Sequence, residues 1–240
     1  MGSAPLKTPM PESAYDRLLH LSLHACEVAR TSAETLAKGI VRGEGLPQIR
    51  QYEEELDALD REVNEGVTSA IAGVSEVQAR ELLGCLKFII ELERIGDLLL
   101  NVANRSVTIS SRLEPQDARD LDFMALTVSR MLGEVYQAYS ARDLKRALAV
   151  LQMDTELDRV RNLMFVRHIE NPENQPHRES FHIVFMCQTL ERAGDHAKNL
   201  AEEICHLVSG RSVRHLLREH DKPAEQMFIE RLRRQANNRH

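Results

Sequence analysis

Tryptophan is absent from this sequence, and phenylalanine and tyrosine together make up only 4% of its 240 residues. Strands are enriched in aromatic and β-branched residues, so this shortage argues against an all-β fold. It also argues against single-stranded nucleic-acid binding, which depends on aromatic side chains that stack on bases. The net charge of −6 is unlike the basic surface typical of nucleic-acid-binding proteins. We therefore predict no nucleic-acid partner.

Cysteines and long apolar runs are also scarce. The four cysteines include no Cys-x-x-Cys pair, so we expect buried thiols in a reducing compartment and not disulfides or zinc ligands. No run of about 18 apolar residues is present, and residues 1–10 lack the apolar core of a secretory signal. We therefore expect a cytoplasmic protein that is peripheral to a membrane only through its partners.

The motifs of common catalytic sites are missing as well. The sequence has no glycine-rich phosphate-binding loop, no Ser-His-Asp order and no reactive-cysteine signature. These absences favour a protein that acts by binding and is not an enzyme. A metal-dependent enzyme on a helical bundle is the alternative, and it would need an open coordination position and a general acid or base. Glu203 and His206 have the Glu-x-x-His spacing of di-iron sites, but such a site needs two such motifs, and we identify only this one.

What the sequence does contain is an internal repeat. The segment 91–106 recurs at 189–204, a shift of 98 residues, and the matching positions are Leu92, Glu93, Arg94, Gly96, Asp97, Asn101 and Ala103. The same shift places Asp60 on Asp158. A constant shift over this distance predicts two copies of a unit of about 100 residues.

Each repeat has the pattern of three helices. Apolar residues recur at intervals of three and four, and no alternation typical of strands survives. We predict helices at about 12–42, 47–72 and 75–110 in the first repeat, and at about 116–141, up to about 170 and up to about 209 in the second. The predicted fold is all-α, with tandem pseudo-symmetric three-helix bundles at 12–113 and 114–211 and a C-terminal tail at 212–240 that can hold a short helix.

Two glycines lie inside apolar stripes of these helices. Gly96 is in the third helix, and Gly194 is in a stripe of the sixth helix that runs from Cys187 to Val208. Glycine inside a helix costs about 0.5–1 kcal/mol relative to alanine. Its presence in both stripes predicts that a neighbouring helix approaches closely at these points.

The repeated segments carry a pair of acids in the pattern Glu-x-x-x-Asp. Residues four apart share one face of a helix, and like charges at that spacing disfavour the helix unless a positive charge is near. Carboxylate and amide oxygens are ligands that Mg²⁺, Mn²⁺ and iron prefer, and zinc is served less well without His or Cys. We predict metal sites at Glu93, Asp97 and Asp60 and at Glu191, Asp195 and Asp158, with Asn101, Asn199 and His196 as additional candidates.

The competing interpretation is an ordinary solvated helix face. Acidic and basic residues at this spacing are commonplace on helices, and Arg94 and Arg192 could neutralise the acids. The occurrence of the same pattern in both repeats favours the metal interpretation over this one.

The paired Leu-Glu-Arg-(Ile/Ala)-Gly-Asp blocks, with Asn101 and Asn199 downstream and Asp-His-Ala in the second copy, resemble the PhoU family of phosphate-uptake regulators. The resemblance spans about residues 15–215. It implies two three-helix bundles whose Glu/Asp-x-x-x-Asp motifs bind clusters of iron, zinc or other metal ions. It also implies a cytoplasmic protein that is usually a homodimer.

The resemblance further implies a role in phosphate homeostasis. PhoU proteins link the Pst phosphate transporter, through its ATPase, to the sensor histidine kinase of the phosphate regulon, and they help to keep that system off when phosphate is plentiful. PhoU-like domains also accompany sodium/phosphate carriers, so a regulator of such a carrier is a further alternative.

The sequence departs from the family pattern in its first repeat. Gly73 and Val74 stand where the family usually has Gln-Pro, and Gln78-Ala79-Arg80 stands in place of Asp-Leu-Arg. The first motif also lacks the histidine that follows Asp195 in the second. These departures favour the second repeat as the better metal site.

Overall fold

The computed structural model describes residues 14–170 and 178–210. Within these ranges it contains no strand and six long helices, which are α1 (Ala14–Gly39), α2 (Leu46–Ala70), α3 (Glu76–Ile109), α4 (Pro115–Ala141), α5 (Leu144–Phe165) and α6 (Arg178–Ser209). The all-α prediction is confirmed. Residues 171–177 and the predicted tail at 212–240 lie outside the described residues. None of the six helices is both long and apolar enough to span a membrane.

The ends of the helices follow local sequence signals. Pro47 lies in the first turn of α2, where its missing N–H costs nothing. Ser75 caps α3 through a reciprocal pair of hydrogen bonds with Gln78, a capping box. Arg142 ends α4 in the left-handed conformation, at φ 53°, and Asp143 then caps α5. These signals explain why the predicted helix boundaries agree closely with the structure.

The helices form one body in which α3 lies against α6 and α1 lies against α4. The α3–α6 pair is antiparallel, because Lys87 near the start of α3 pairs with Glu203 near the end of α6. Helix α2 packs on α1 and α3, and α5 packs on α4 and α6. Buried side chains from all six helices make one continuous apolar core. The two repeats are therefore halves of a single packed unit, with α2 and α5 at its two sides.

The predicted inward stripes and buried thiols are confirmed, with one exception. Val208, predicted as the last member of the α6 stripe, is 37% exposed and lies one residue before the end of the helix. All four cysteines are free and buried. Burial raises the pKa of the Cys187 thiol to about 12, which keeps it protonated and unreactive.

The close approach predicted at the two glycines is also confirmed. A Cβ atom on Gly96 would lie 2.6 Å from Cδ1 of Leu56 on α2, and one on Gly194 would lie 2.2 Å from Cδ1 of Leu157 on α5. Both distances are well inside van der Waals contact. Each glycine thus lets the outer helix of its repeat, α2 or α5, pack directly against α3 or α6 beside the acidic motif.

Candidate functional site

Each Glu-x-x-x-Asp motif lies beside the glycine contact, at the edge of the core. Glu93 and Glu191 are half-buried, whereas Asp97 and Asp195 are exposed. The acids therefore line the open side of the α2–α3 pair in one repeat and of the α5–α6 pair in the other. What differs between the repeats is the set of residues that the outer helix brings to them.

In the first repeat, five carboxylates gather at this edge, and we call them the first acidic face: Glu53, Asp57 and Asp60 on α2, and Glu93 and Asp97 on α3. Burial raises the pKa of Glu93, and the negative charges of Asp97, Asp57 and Asp60 raise it further. Burial also raises the pKa of Glu53, with Asp57 and Asp97 adding to the effect. These effects show that the carboxylates of α2 and α3 are close enough to repel one another.

Positive charge is nearly missing from the first acidic face. Within the described residues none of its five carboxylates makes an ion pair, and the amide of Asn64 donates a hydrogen bond of 2.9 Å to Asp60. Arg94 and Arg50 only partly offset the raised pKa values of Glu93 and Glu53, respectively. Arg94, expected to neutralise the acids, pairs instead with Glu91 at 3.6 Å.

Sequence reasoning missed Glu53 and Asp57. Together with Asp60 they follow the spacing i, i+4, i+7, which places all three on one face of α2. That stripe was the available signal.

In the second repeat the acids have built-in partners. The second acidic face consists of Asp154 and Asp158 on α5 and Glu191 and Asp195 on α6. Arg161 donates a hydrogen bond of 2.7 Å from Nη2 to Asp158, and its Nε lies 3.6 Å from Glu191.

Lys198 adds a second positive charge to this face. It donates a hydrogen bond of 2.6 Å to Asp154, whose side chain is only 7% exposed. Asp154 and both basic residues were missed from sequence, where Arg192 was expected to act. Arg192 makes no ion pair within the ranges 14–170 and 178–210.

The pKa shifts reflect these pairs. Burial raises the pKa of Glu191, but the adjacent Arg161 guanidinium opposes that rise. The hydrogen bond to Asp158 raises the pKa of Arg161, and the hydrogen bond to Asp154 raises that of Lys198. Both bases are therefore held in their charged forms by the acids they contact.

The packing also corrects which residues of α2 correspond to which residues of α5. The glycines on α3 and α6 differ by 98 positions, but the leucines they contact, Leu56 and Leu157, differ by 101. By contact with the third helix, the structural counterpart of Asp158 is therefore Asp57, and the counterpart of Asp60 is Arg161. The sequence equated Asp60 with Asp158 because the constant shift of 98 residues pairs Leu59-Asp60-Arg61 with residues 157–159.

The additional candidate ligands lie between α3 and α6. His196 Nδ1 is 2.6 Å from Glu91 Oε2, and the amide of Asn199 donates a hydrogen bond of 3.1 Å to the same oxygen. Both side chains thus bridge α6 to α3 and do not join the second acidic face. Asn101 lines a cavity of about 330 Å³ between α3 and α6, together with Asp97, Arg94, Leu98, Arg192 and His196.

The di-iron alternative finds no support in the geometry of its motif. Glu203 pairs with Lys87 at 2.9 Å. The expectation of a single Glu-x-x-His motif is wrong, because a second one exists at Glu179 and His182. It lies on the same helix, about 36 Å along the axis from the first by the rise per residue. Two motifs at opposite ends of one helix cannot bind the same metal pair.

The donor set of the first acidic face fits a hard cation, since it is composed of carboxylates that lack counter-charges. In the rotamers present, no three His, Cys, Asp or Glu side chains of the described chain are close enough together to hold a metal. Binding would therefore require the Asp and Glu side chains to turn toward one another. Metal binding at either face stays a prediction.

Comparison with known proteins gives the family. The PhoU domain family matches the chain twice, at residues 18–106 and 121–204. A relative from Caulobacter vibrioides, named phosphate-specific transport system accessory protein PhoU homolog, is 31% identical over 206 residues, which cover 81% of this chain and 89% of the relative. A relative from Thermotoga maritima, named phosphate-specific transport system accessory protein PhoU homolog 1, is 26% identical over 214 residues. These residues cover 86% of this chain and 89% of the relative.

Solved structures show the same fold. The crystal structure of PhoU from Pseudomonas aeruginosa has a TM-score of 0.75 at 23% identity and covers 82% of this chain and 98% of its own. The crystal structure of the phosphate transport system regulatory protein PhoU from Streptococcus pneumoniae has a TM-score of 0.75 at 17% identity. It covers 83% of this chain and 97% of its own. The two family matches fall one on each repeat and together span well over half of the sequence. The chain belongs to the PhoU family.

Proposed function

We propose that this protein is a regulatory accessory protein of phosphate-specific transport. In this proposal it is a cytoplasmic adaptor, working as a homodimer, between the ATPase of a Pst phosphate transporter and a phosphate-sensing histidine kinase. It restrains phosphate uptake and phosphate-regulon signalling by binding these partners, without turning over a substrate.

The observation that carries this proposal is the double PhoU match, one per repeat. The relatives from Caulobacter vibrioides and Thermotoga maritima both bear the name of a phosphate-specific transport accessory protein. A long groove between two packed helices, such as α3 and α6, offers a partner helix a place to dock. That groove is lined by charged pairs, Lys87 with Glu203 and Arg94 with Glu91, which suits recognition of a polar protein surface.

We further propose that the first acidic face binds a divalent or iron cation (Fe, Zn, Mn or Mg). Glu93 and Asp97 on α3 would hold it together with Asp57 and Asp60 on α2. The bound cation would supply positive charge that offsets the repulsion of these acids and ties α2 to α3. The carboxylates without ion-pair partners, described above, support this assignment.

Affinity purification from cells grown in high phosphate tests the adaptor role. We expect the transporter ATPase or the sensor kinase to co-purify with the tagged protein. Deletion of its gene should switch on a phosphate-regulon reporter in high phosphate. If the reporter stays repressed and neither component co-purifies, the adaptor proposal is wrong. Recovery of a sodium/phosphate carrier instead would assign the protein to that kind of transport.

Thermal melts test the metal proposal separately. A ligand that binds only the folded state stabilises it by about 2.7 kcal/mol at a hundredfold excess over Kd. The double variant Glu93→Gln/Asp97→Asn should lose this metal-dependent increase in Tm. Glu65→Gln, an exposed acid on α2 outside the first acidic face, is the control for loss of charge. An equal increase in all three proteins would refute the assignment.

A further inference from the structure

The two acidic faces differ most at one position, the residue that approaches the motif glutamate from the outer helix. On α2 the stripe at i, i+4, i+7 is Glu53, Asp57, Asp60, and all three members are acids. On α5 the counterpart stripe begins with two acids and ends with Arg161. The leucine–glycine contacts set this correspondence, because they place the two stripes at the same height against α3 and α6.

Arg161 lies between the acids of the two helices. Its Nη2 is 2.7 Å from Asp158 on α5, and its Nε is 3.6 Å from Glu191 on α6. A cation shared by these two carboxylates would need the space that the guanidinium fills. About two-thirds of the Arg161 side chain is buried, so it is packed into the face and not extended into solvent.

Lys198 provides the second positive charge from α6 itself. Its ammonium group is 2.6 Å from Asp154. The residue at the equivalent position of α3, 98 residues earlier, is Leu100, so the first acidic face has no such group. Two acids of the second acidic face are thus engaged by one base each, and Glu191 shares Arg161.

We propose that the second acidic face takes no metal ion in this protein, because Arg161 and Lys198 stand in for it, and that metal binding is confined to the first acidic face. The inference rests on the proposed metal-binding role. It departs from the symmetry that the duplicated motif suggests. A metal ion at the second acidic face would first have to displace two bases from hydrogen-bonded ion pairs, whereas at the first acidic face it displaces none.

The test exchanges the residue at which the two acidic faces differ most. Asp60→Arg gives the first acidic face the base of the second, and Arg161→Asp gives the second acidic face the acid of the first. Full-length protein is stripped with chelator and titrated with MnCl₂, and bound Mn²⁺ per chain is measured by elemental analysis and calorimetry. We expect Asp60→Arg to weaken Mn²⁺ binding at least tenfold and Arg161→Asp to add one further Mn²⁺ per chain. Glu191→Gln/Asp195→Asn should bind as the parent does.

A metal-free measurement decides the charge argument independently. In chelator, Asp60→Arg should raise Tm because it relieves repulsion, and Arg161→Asp should lower Tm because it creates repulsion, each by about 2–4 °C. Arg161→Gln is the milder variant should Arg161→Asp fail to fold, and it should also lower Tm. Circular dichroism confirms helix content in each case.

The outcomes distinguish this inference from the proposal that the first acidic face binds a metal ion. Loss of parental Mn²⁺ binding in Glu191→Gln/Asp195→Asn would overturn the inference and leave metal binding intact. If the parent binds no Mn²⁺, the proposed metal role fails, while opposite shifts in Tm would still support Arg161 as the built-in cation. Shifts of Tm in the same direction for Asp60→Arg and Arg161→Asp would overturn the inference.

Discussion

The two acidic faces carry the same Glu-x-x-x-Asp motif at the same place beside a glycine contact, yet their charge balance is different. The first gathers five carboxylates that make no ion pairs within the described residues. In the second, Arg161 and Lys198 donate hydrogen bonds to two of the four acids, Asp158 and Asp154, respectively. The motif on the third helix was duplicated with its sequence, but its electrostatic environment was not.

The difference teaches that a repeated motif is not yet a repeated site. The third helix supplies only two of the acids, and the outer helix decides whether the next side chain is an acid or a base. The outer helices α2 and α5 correspond with a shift of 101 residues, three more than α3 and α6. This difference places the basic residue Arg161 where the first repeat has Asp60, and a salt bridge takes the place of a candidate cation site.

The largest effect should come from breaking the contact that sets this register. Leu157 is fully buried against Gly194, and removing a buried leucine side chain costs about 2–5 kcal/mol. We expect Leu157→Ala to lower the free energy of unfolding by about 3 kcal/mol, measured by urea denaturation. Leu56→Ala is the matched variant in the first repeat and should behave alike.

Coupling between the leucine and its glycine sharpens this test. Gly194→Ala alone places a methyl group against Leu157 and should destabilise the fold. In the Leu157→Ala background the same methyl group has space, so Gly194→Ala should cost less there or even stabilise by filling the cavity. Additive effects in the double variant would show that the two residues do not set the register together.

The next effect concerns a buried ion cluster in the second repeat. Asp117 at the start of α4 is 1% exposed and lies 2.6 Å from Arg167 and 2.9 Å from His168, in the π-helical turn after α5. Its 98-residue counterpart in the first repeat is Leu19. Asp117→Asn should destabilise the fold by about 2 kcal/mol, less than a fully buried pair because Arg167 is partly exposed.

The stabilisation by Asp117 should also depend on pH. Burial by itself raises the pKa of Asp117, but hydrogen bonds from His168 and Arg167 outweigh it, and the net pKa is lowered. An acid with a lowered pKa stabilises the fold above its unfolded pKa and loses that contribution as the pH falls through the folded pKa. Urea midpoints of the parent should therefore fall toward those of Asp117→Asn below the ordinary pKa of 3.8. A difference that persists in acid would contradict this.

Much of the fold could be predicted from sequence because its signals are local. The apolar spacing gave the six helices, Pro47 and Ser75 mark helix starts, and Gly96 and Gly194 marked the close contacts. The end of a helix is less predictable, and Val208 was placed in the core because its spacing continues a stripe that the helix end leaves uncovered.

The site was only half predictable. The acids on α3 and α6 belong to one helix each, so sequence spacing located them. Which residues of α2 and α5 face them depends on how the two helices are aligned along their length. The longer sequence match pairs Leu59-Asp60-Arg61 with 157–159, whereas the packing places Leu56 where Leu157 stands. The longer match concealed Arg161. The second repeat looked like the better metal site for another reason, because the first repeat departs from the family pattern and lacks the histidine that follows Asp195.

A smaller effect is expected at the partly exposed pair Lys198–Asp154. Lys198→Gln leaves the buried Asp154 carboxylate without its base and should lower the free energy of unfolding by about 1 kcal/mol. If Lys198→Gln costs no more than a few tenths of a kcal/mol, the pair does not stabilise the second acidic face.

The smallest effect should have the opposite sign and belongs to the first acidic face. Glu93 has a raised pKa, from burial first and then from the charges of Asp97, Asp57 and Asp60, so its ionised form is less favourable in the folded protein than in the unfolded chain. That penalty appears as the pH rises through the ordinary value of 4.5 and is removed in acid. At neutral pH, without metal, Glu93→Gln should therefore stabilise the fold by about 0.2–0.5 kcal/mol, the usual size of a like-charge pair on a helix.

Two further measurements separate this charge effect from a packing effect. The gain from Glu93→Gln should vanish below the ordinary pKa and shrink at high salt, which screens the repulsion between exposed acids. Glu65→Gln, with the same change of charge outside the first acidic face, should show no such gain. A loss of stability in metal-free Glu93→Gln would mean that Glu93 already has a counter-charge. The contrast between the two faces would then disappear, because each would be neutralised by the protein itself.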